Sequence, residues 1–450
     1  MKNEETVLYL QKLLTENSYK ALREAMIEEN EVDIAEFIGI LPKDKAAIVF
    51  RLLPKDLAAE VFSNLELDVQ ERLIHEFTDK ELESVLEEMF VDDLVDMLEE
   101  LPAGIVKRVL RNTDEGTRGV INAFLKYPKD SAGTIMTAEY TNLRPKMTVK
   151  EAIMYLRMNG ADSETLYNCY VIDKNRVLDG VVSLRTLLLS KDEVLVEDLM
   201  ETDVVKVHTS DDKEEVAYLF QRYDYLSLPV VDSEERLVGI ITVDDIIDVM
   251  EEEATEDFEL MAATIPSGKP YLKTPSWELA RNRIVWLTVL MFSGMISGGI
   301  LSRYEEAFTQ IPVLVSFIPM LMNTGGNAGS QASTLVIRGM VLNEISLKDG
   351  FVVLWKEFRV SLIAGLFLAV INFIRLIITY PGQEKIMFVV SFAIFGTVVI
   401  AKMVGGILPL FAKLLKADPA IMAAPLITTI VDALSLIFYF FLAGVFLGIS

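Results

Sequence analysis

The first 130 residues place apolar positions at helical spacing, but only in short runs. LPKDKAAIVF at Leu41 returns as LPKDLAAEVF at Leu53, twelve residues later, and ELDVQERLIHEF, DKELESVLEEMF and VDDLVDMLEELP continue the series. Helices this short do not persist alone in water, so the repeat predicts a stacked, superhelical all-α array over residues 1–130. Residues 136–250 follow a different rhythm. VIDKNRVLDGVVSLRTLL from Val171 matches VVDSEERLVGIITVDDII from Val230 at a constant offset of 59, pairing Gly180 with Gly239 and Ser183 with Thr242. Each half predicts helix, strand, turn, strand, helix, with Thr148-Val-Lys-Glu151 a capping box at one helix start. The α/β halves are placed at 131–199 and 200–250. Residues 244–264 then predict one long helix, ended by Pro266, Gly268, Pro270 and Pro275 in a linker running to 280.

From residue 281 the pattern becomes continuously apolar. Five spans are expected: Ile284–Leu301, Ile311–Val341, Phe358–Thr379, Ile386–Leu414 and Pro419–Ile449. Stretches near ~20 residues or more cross a ~30 Å hydrocarbon core. The second span is interrupted by Asn323, Thr324, Gly325, Gly326, Asn327, Ala328, Gly329, Ser330 and Gln331. Irregular polar backbone survives at membrane depth only when it is buried in protein or faces a water-filled cavity. Three glycines in five positions let a helix or a hydrated ion approach the main chain. Pro319, just upstream, is expected to free a carbonyl. The stretch therefore predicts a pore wall, the other reading being small-residue helix packing alone. The last span holds one ionisable residue, Asp432. A charge at mid-membrane costs ~2.5–3.5 kcal/mol on insertion scales and marks function by default. Asp432 facing carbonyl-rich backbone suits a hydrated cation; a protonated Asp432 bonded between helices is the alternative.

Charge divides the chain in the same place as hydropathy. Residues 281–450 contain 8 acidic and 12 basic residues, leaving 59 acidic and 30 basic for residues 1–280. So acidic a front half repels phosphate backbones, which argues against nucleic acid, and attracts cations. Nine carboxylates and no Lys or Arg lie between Glu81 and Val106, and again between Leu237 and Gly268. On the long helix Asp244, Asp248, Glu252 and Glu256 stack as a like-charge ridge, each pair costing ~0.2–0.5 kcal/mol. Ile247, Met250, Ala254, Phe258 and Met261 form the expected apolar face. Divalent cations such as Mg²⁺ or Ca²⁺ would stabilise such surfaces; a merely solubilising face is the plainer reading. Eight flanking cations (Arg281, Arg283, Arg338, Lys348, Lys356, Arg359, Lys413, Lys416) stand against three (Arg303, Arg375, Lys385). That bias places the acidic half in the cytoplasm and the C-terminus outside. Lys402 falls inside the fourth span, where snorkelling to the headgroups is expected. The start, MKNEETVLYL, is too acidic and weakly apolar for a signal peptide. The single Cys169 forms no internal disulfide and fits a reducing compartment. His75 and His208 lack metal-ligand spacing, and no nucleophile–base motif is present, so no enzyme activity is expected.

The paired α/β halves resemble a tandem CBS-domain pair, a module that senses adenine nucleotides or ions. Thr242-Val-Asp-Asp245 resembles the Thr-x-x-Asp that holds ribose and phosphate in nucleotide-binding members, implicating Thr242 and Asp245 in ATP binding. An N-cap with its third-position acid accounts for the same residues. Thr186 stands where the first half would need an Asp.

The full order of parts resembles the MgtE family of magnesium channels, over essentially the whole chain. Pro319 with Asn323-Thr-Gly-Gly-Asn-Ala-Gly-Ser-Gln331, Ala424-Pro425-Leu426 with Asp432, and Ala254-Thr-Glu-Asp257 carry the resemblance. It implies a homodimer in the cell (inner) membrane, its pore on the two-fold axis, gated shut by cytoplasmic Mg²⁺. It further implies that Asp432 holds hydrated Mg²⁺, with Gly325, Gly326, Asn327, Gly329 and Gln331 lining the path. Regulatory Mg²⁺ would be held by Glu60, Asp92 and Asp96 on the superhelix and by Glu214, Asp224, Asp245 and Asp248 on the second CBS unit. Glu253, Glu256 and Asp257 on the connecting (plug) helix and Asp418 complete that set. Two rival readings remain: a gradient-coupled divalent cation transporter or exporter, with Asp432 the coupling site, and a membrane-anchored adenine-nucleotide sensor.

Overall fold

The computed structural model describes residues 2–161, 163–304, 310–422 and 424–448. They fall into two compact units, Met1–Met250 and Glu251–Ser450. In the first, α1 (Lys2–Thr15) and α2 (Tyr19–Ile27) precede eight helices that begin every twelve residues. These are α3 (Glu31–Gly39), α4 (Lys43–Phe50), α5 (Lys55–Ser63), α6 (Leu67–Glu76), α7 (Asp79–Leu86), α8 (Val91–Glu100), α9 (Ala103–Asn112) and α10 (Glu115–Phe124). The same step runs through the core, where Phe37, Val49, Val61, Leu73, Val85, Met97, Val109 and Ile121 are all buried. Alternate helices stack, α3 on α5 on α7 on α9 in one row, and α4 on α6 and α8 on α10 in the other. Each short helix thus gains from its neighbours the apolar cover it cannot supply itself.

The next segment contains β1 (Asn142–Leu143), α11 (Val149–Asn159), β2 (Asn168–Ile172), β3 (Leu178–Ser183) and α12 (Leu184–Leu189). Its repeat contains β4 (Val207–His208), α13 (Lys213–Tyr223), β5 (Ser227–Val231), β6 (Leu237–Thr242) and α14 (Val243–Met261). Each half is a three-stranded sheet with one parallel and one antiparallel pairing, and the offset of 59 holds through both hairpins. The halves bond reciprocally: the Leu178 N–H donates to the Glu235 carbonyl and the Leu237 N–H to the Arg176 carbonyl. Gly180 and Gly239 are glycine for one reason. A methyl at either would lie 2.8 or 2.7 Å from a crossing carbonyl, of Glu201 or Thr137. The Thr148 capping box forms as expected.

The second unit is helical: α15 (Ser276–Arg303), α16 (Ile318–Val341), α17 (Gly350–Thr379), α18 (Glu384–Leu414) and α19 (Ala424–Leu447). Among the described residues four stretches are long and apolar enough to cross a membrane: Ser276–Arg303, Leu347–Thr379, Glu384–Leu414 and Pro419–Leu447. Ile449, the expected end of the last span, lies outside the described residues. The second expected span, Ile311–Val341, holds α16, which has 24 residues but too polar a composition. Its packing explains the tolerance, since α16 lies against both α18 and α19 and leaves only part of its surface to lipid or water. By contrast α15 buries no residue and, among the long helices, packs mainly on α19.

One expectation is corrected here. The Gly-rich stretch is not an irregular break: Ile318–Val341 is one uninterrupted helix, and Pro319 sits in its first turn, where no donor is missed. A glycine costs a helix ~0.8–1.0 kcal/mol, whereas each unsatisfied backbone group in hydrocarbon costs several kcal/mol, so the helix prevails. The glycines serve close packing instead. Cβ atoms on Gly325, Gly326 and Gly329 would meet Thr397 or Val431, Thr428, and Ile427 at 2.7–2.9 Å. A Cβ on Gly405 of α18 would fall 2.2 Å from the Gly329 carbonyl oxygen. Gly405→Ala is therefore expected to destabilise the membrane unit by ~1–3 kcal/mol, read as a lower thermal midpoint of the detergent-solubilised protein.

Candidate ion path and acidic surfaces

The buried face of α16 carries Leu321, Gly325, Ala328, Gly329, Ala332 and Val336. Its other edge carries Asn323, Asn327 and Gln331, one turn apart and all exposed. The Asn327 side-chain N–H donates to Asn323 Oδ1 at 3.2 Å, so the amides form a ladder along the helix. Asp432 lies on α19, in the turn that packs against Gly325 and Gly326 through Thr428, Val431 and Ser435. Asp432 Oδ1 is buried and has no hydrogen-bond partner among the described residues, and the same holds for Ser435 Oγ and Thr397 Oγ1. Gly325, Gly326 and Gly329 face this packing interface, leaving Asn327 and Gln331 as the expected path residues with free polar edges. Ser333 Oγ donates to the Met422 carbonyl at 2.9 Å, tying α16 to the turn before α19.

Lys402 does not snorkel. It is buried on α18 with its Nζ 3.8 Å from Glu357 Oε2 of α17. Snorkelling requires a route to the headgroups; here an acid one helix away supplies the counter-charge.

In the first unit, acids from four segments meet. Asp92, Asp93 and Asp96 come from α8, Asp244 and Asp245 from the start of α14, and Glu139 and Glu164 from loops. Burial, then Asp245 and Asp93, pushes Asp92 well above the usual carboxylate range. Burial, then Asp96, raises Asp93 to about 6. Glu164 rises to about 7 through burial, Asp244 and Asp245. Asp245 also rises to about 7, chiefly by burial and against the opposing bond from Thr242. Glu164 Oε2 is buried without a hydrogen-bond partner among the described residues. Thr242 Oγ1 donates to Asp245 Oδ2 at 2.7 Å, the capping arrangement that accounts for Thr-x-x-Asp without a nucleotide.

A second group forms at the base of the membrane unit. Leu260 and Met261, ending α14, pack with Ile337 and Val341 of α16 and with Ala420. Beside them Asp257 is raised to about 6 by burial, then by Asp418, Glu253 and Glu256, with Arg338 opposing. Asp418 Oδ1 accepts the Ala420 N–H at 2.7 Å and so caps the turn Pro419–Met422. Glu259 turns back to accept from Ser267 N–H and Oγ, and the Ile265 N–H donates to the Asn282 carbonyl, fixing the descent from α14 to α15.

The structure thus gathers Asp92, Asp96 and Asp245 in one place, and Glu253, Glu256, Asp257 and Asp418 in another. Asp248 lies one turn beyond Asp244 on α14, and Glu60 is exposed on α5. Glu214 and Asp224 sit at opposite ends of the eleven-residue α13, roughly 15 Å apart by helical rise, so one ion cannot take both. Asp224 adopts a left-handed conformation as that helix's C-cap. Asp244 is the first acid of the like-charge ridge and Asp93 is readable as the neighbour of Asp92; Glu139 and Glu164, in separate loops, carry no signal in the sequence. The apolar face expected on α14 is also revised. Ile246 and Val249 are the buried residues, whereas Ile247, Met250 and Phe258 are exposed, because the helix start packs by its Ile246 side.

Among the described residues no three His, Cys, Asp or Glu side chains converge closely enough to hold one ion. The donors are nonetheless all oxygen, held above the usual carboxylate range by burial and then by mutual repulsion, and Glu164 Oε2 lacks a hydrogen-bond partner among the described residues. That set suits Mg²⁺, which keeps several of its waters. Groups held above their ordinary value make the fold bind extra protons between about pH 4 and about pH 7. Their contribution to stability is therefore best at low pH and falls as pH rises through that window. In chelator, the thermal midpoint of the full chain is expected to drop between about pH 5 and about pH 8, and Mg²⁺ is expected to shrink the drop.

Long apolar helices, an exposed polar edge on one of them, an acid in the last and a pair of repeated α/β modules fit a membrane transporter of cations. Comparison with known proteins specifies which. Residues 318–442 match the family model MgtE, divalent cation transporter, and residues 29–130 match the MgtE intracellular N domain. CBS domains match at 132–192 and 196–252. The chain is 42% identical over 328 residues to the magnesium transporter MgtE of Bacillus subtilis, covering 73% of this chain and 72% of that one. It is 38% identical over 334 residues to the magnesium transporter MgtE of Thermus thermophilus, covering 74% of each. Among solved structures, the cytosolic domain of the Mg²⁺ channel MgtE in complex with ATP aligns at 40% identity and TM-score 0.51, covering 54% of this chain and 99% of that one. The soluble part of a magnesium transporter aligns at 31% identity and TM-score 0.53, covering 56% and 99%. The chain belongs to the MgtE family.

Proposed function

We propose that this protein imports Mg²⁺ through a channel lined by Asp432 and the polar edge of α16, and that cytoplasmic Mg²⁺ closes it. The observation that carries the reading is the exposed row Asn323, Asn327 and Gln331 on a helix packed against α19, which holds an acid whose buried oxygen has no hydrogen-bond partner among the described residues. Amides and a carboxylate contact a hydrated cation without stripping its shell, as Mg²⁺ demands. A polar edge at membrane depth needs water or protein against it. A second copy supplies both if the two polar edges face each other across a water-filled axis. The α15 surface, free of buried residues, and the exposed Ile247, Met250 and Phe258 also fit a homodimer. The basic flanks keep the acidic half in the cytoplasm and the C-terminus outside, in the cell membrane.

For closure, bound Mg²⁺ offsets the excess negative charge of both acidic groups. Asp92, Asp93, Asp245 and Glu164 then stay together, as do Asp257 and Asp418, and α14 stays seated on Ile337 and Val341. When cytoplasmic Mg²⁺ falls, the carboxylates repel, the seat loosens and the path opens by mass action. The relative crystallised with ATP supports a nucleotide at the CBS pair, with Thr242 and Asp245 the residues it would engage.

Uptake of Mg²⁺ by proteoliposomes tests the reading. Asn327→Leu, which leaves Asp432 in place, is expected to cut the rate about tenfold by removing one polar contact worth ~1–1.5 kcal/mol. Wild-type uptake by that variant would remove the amide ladder from the path.

A further inference from the structure

Lys402 and Glu357 are charged groups that the proposed ion path does not use, and they lie inside the membrane unit. Their side chains are only 8% and 13% exposed. Glu357 Oε2 has no hydrogen-bond partner among the described residues, so its engagement is the charge of Lys402. On α18 the residues around Lys402 form two adjoining i, i+4 pairs. Ala401 and Gly405 face α16: a methyl on Gly329 would lie 3.2 Å from the Ala401 carbonyl oxygen, and one on Gly405 would lie 2.2 Å from the Gly329 carbonyl oxygen. Lys402 and Gly406 face α17, where a methyl on Gly406 would lie 3.4 Å from Glu357 Cγ. A methyl at 406 would be in ordinary contact with the Glu357 stem, which places that stem against this face of α18, whereas only glycine at 405 lets the backbones of α16 and α18 touch.

We infer that the Glu357–Lys402 pair is a charge-neutral clamp that fixes the rotation of α18 and thereby positions α16, the helix carrying Asn327 and Gln331. The two faces of α18 are one residue apart, so turning Lys402 away from Glu357 also turns Gly405 away from the Gly329 carbonyl. Neutralising one partner leaves an uncompensated charge in low dielectric, whereas replacing both with apolar groups leaves none. This inference rests on α16 lining the path for its effect on transport, but not for the clamp itself.

The test compares the full-length wild type with Glu357→Gln, Lys402→Gln, the swap Glu357→Lys/Lys402→Glu, and the apolar pair Glu357→Leu/Lys402→Met, all at equal reconstituted amounts. Each single variant is expected to lose about tenfold or more in Mg²⁺ uptake, and at least one double variant to return within about threefold of wild type. The half-saturating external Mg²⁺ concentration is expected to rise in Glu357→Gln, whose remaining lysine repels the cation. A pair that only aided folding would lower the number of active molecules and leave that concentration unmoved. Singles that transport like wild type, or doubles that both stay as low as the singles, would overturn the clamp. Thermal midpoints of the same five proteins read the pair independently of transport, and additive single effects there would also overturn it. Absence of Mg²⁺ flux in the wild type would defeat the pore reading while that second comparison still decides the clamp.

Discussion

Proteoliposomes carrying Asp432→Ala are expected to take up Mg²⁺ about a hundredfold more slowly than wild type. A lone acid held in a membrane helix at a cost of ~2.5–3.5 kcal/mol is retained for what it binds, and losing a contact of that size corresponds to about two decades. The structure sharpens the expectation, because Asp432 Oδ1 has no protein partner among the described residues that its removal would orphan. The variant should therefore fold and insert normally, which elution of a monodisperse protein checks. Asp432→Asn keeps the shape and removes the charge, and it is expected to lose nearly as much. Uptake that survives in both variants would place the ion site elsewhere.

Neutralising the acidic patch should remove control while leaving conduction. In Asp93→Asn/Asp245→Asn/Glu164→Gln, Mg²⁺ uptake is expected to persist at millimolar internal Mg²⁺, with the half-inhibiting concentration raised about tenfold or more, a change of ~1.4 kcal/mol. The three acids are chosen because each is raised by burial and then by repulsion from one another or from shared neighbours across α8, α14 and the loop holding Glu164. Amides in their place neither repel one another nor bind a divalent ion, so the ion-dependent attraction that holds the closed arrangement is gone. Unchanged inhibition would mean that control resides at Asp257 and Asp418 or outside both groups.

Much of the architecture was legible from spacing. Two copies of a decapeptide set the twelve-residue step, and the helices keep that step through eight starts because each buries the same phase against its neighbours. The offset of 59 likewise foretold both hairpins, and the two glycines it paired meet equivalent crossing carbonyls. What spacing could not reveal was tertiary choice. Nothing in the local sequence distinguishes Glu164 from the chain's exposed acids, and nothing in α18 names Glu357 as the partner of Lys402. The Gly-rich stretch misled for a physical reason. Glycine's local preference against helix is small beside the cost of bare backbone in a membrane, so the residues that looked like a break became a packing face. The proposed ion path accordingly keeps Asp432, Asn327 and Gln331 from the sequence reading and gives up the main-chain oxygens of the glycines, which face the packing interface.

Electrical recording of the wild-type protein in a planar bilayer, with Mg²⁺ stepped on the side of the acidic half, tests the central claim most directly. The account predicts discrete Mg²⁺-carried openings at low Mg²⁺ on that side, vanishing as it reaches several millimolar and returning on washout. Openings indifferent to that Mg²⁺ would contradict the gate, and Mg²⁺ movement that needs a second ion's gradient and shows no discrete openings would contradict the channel.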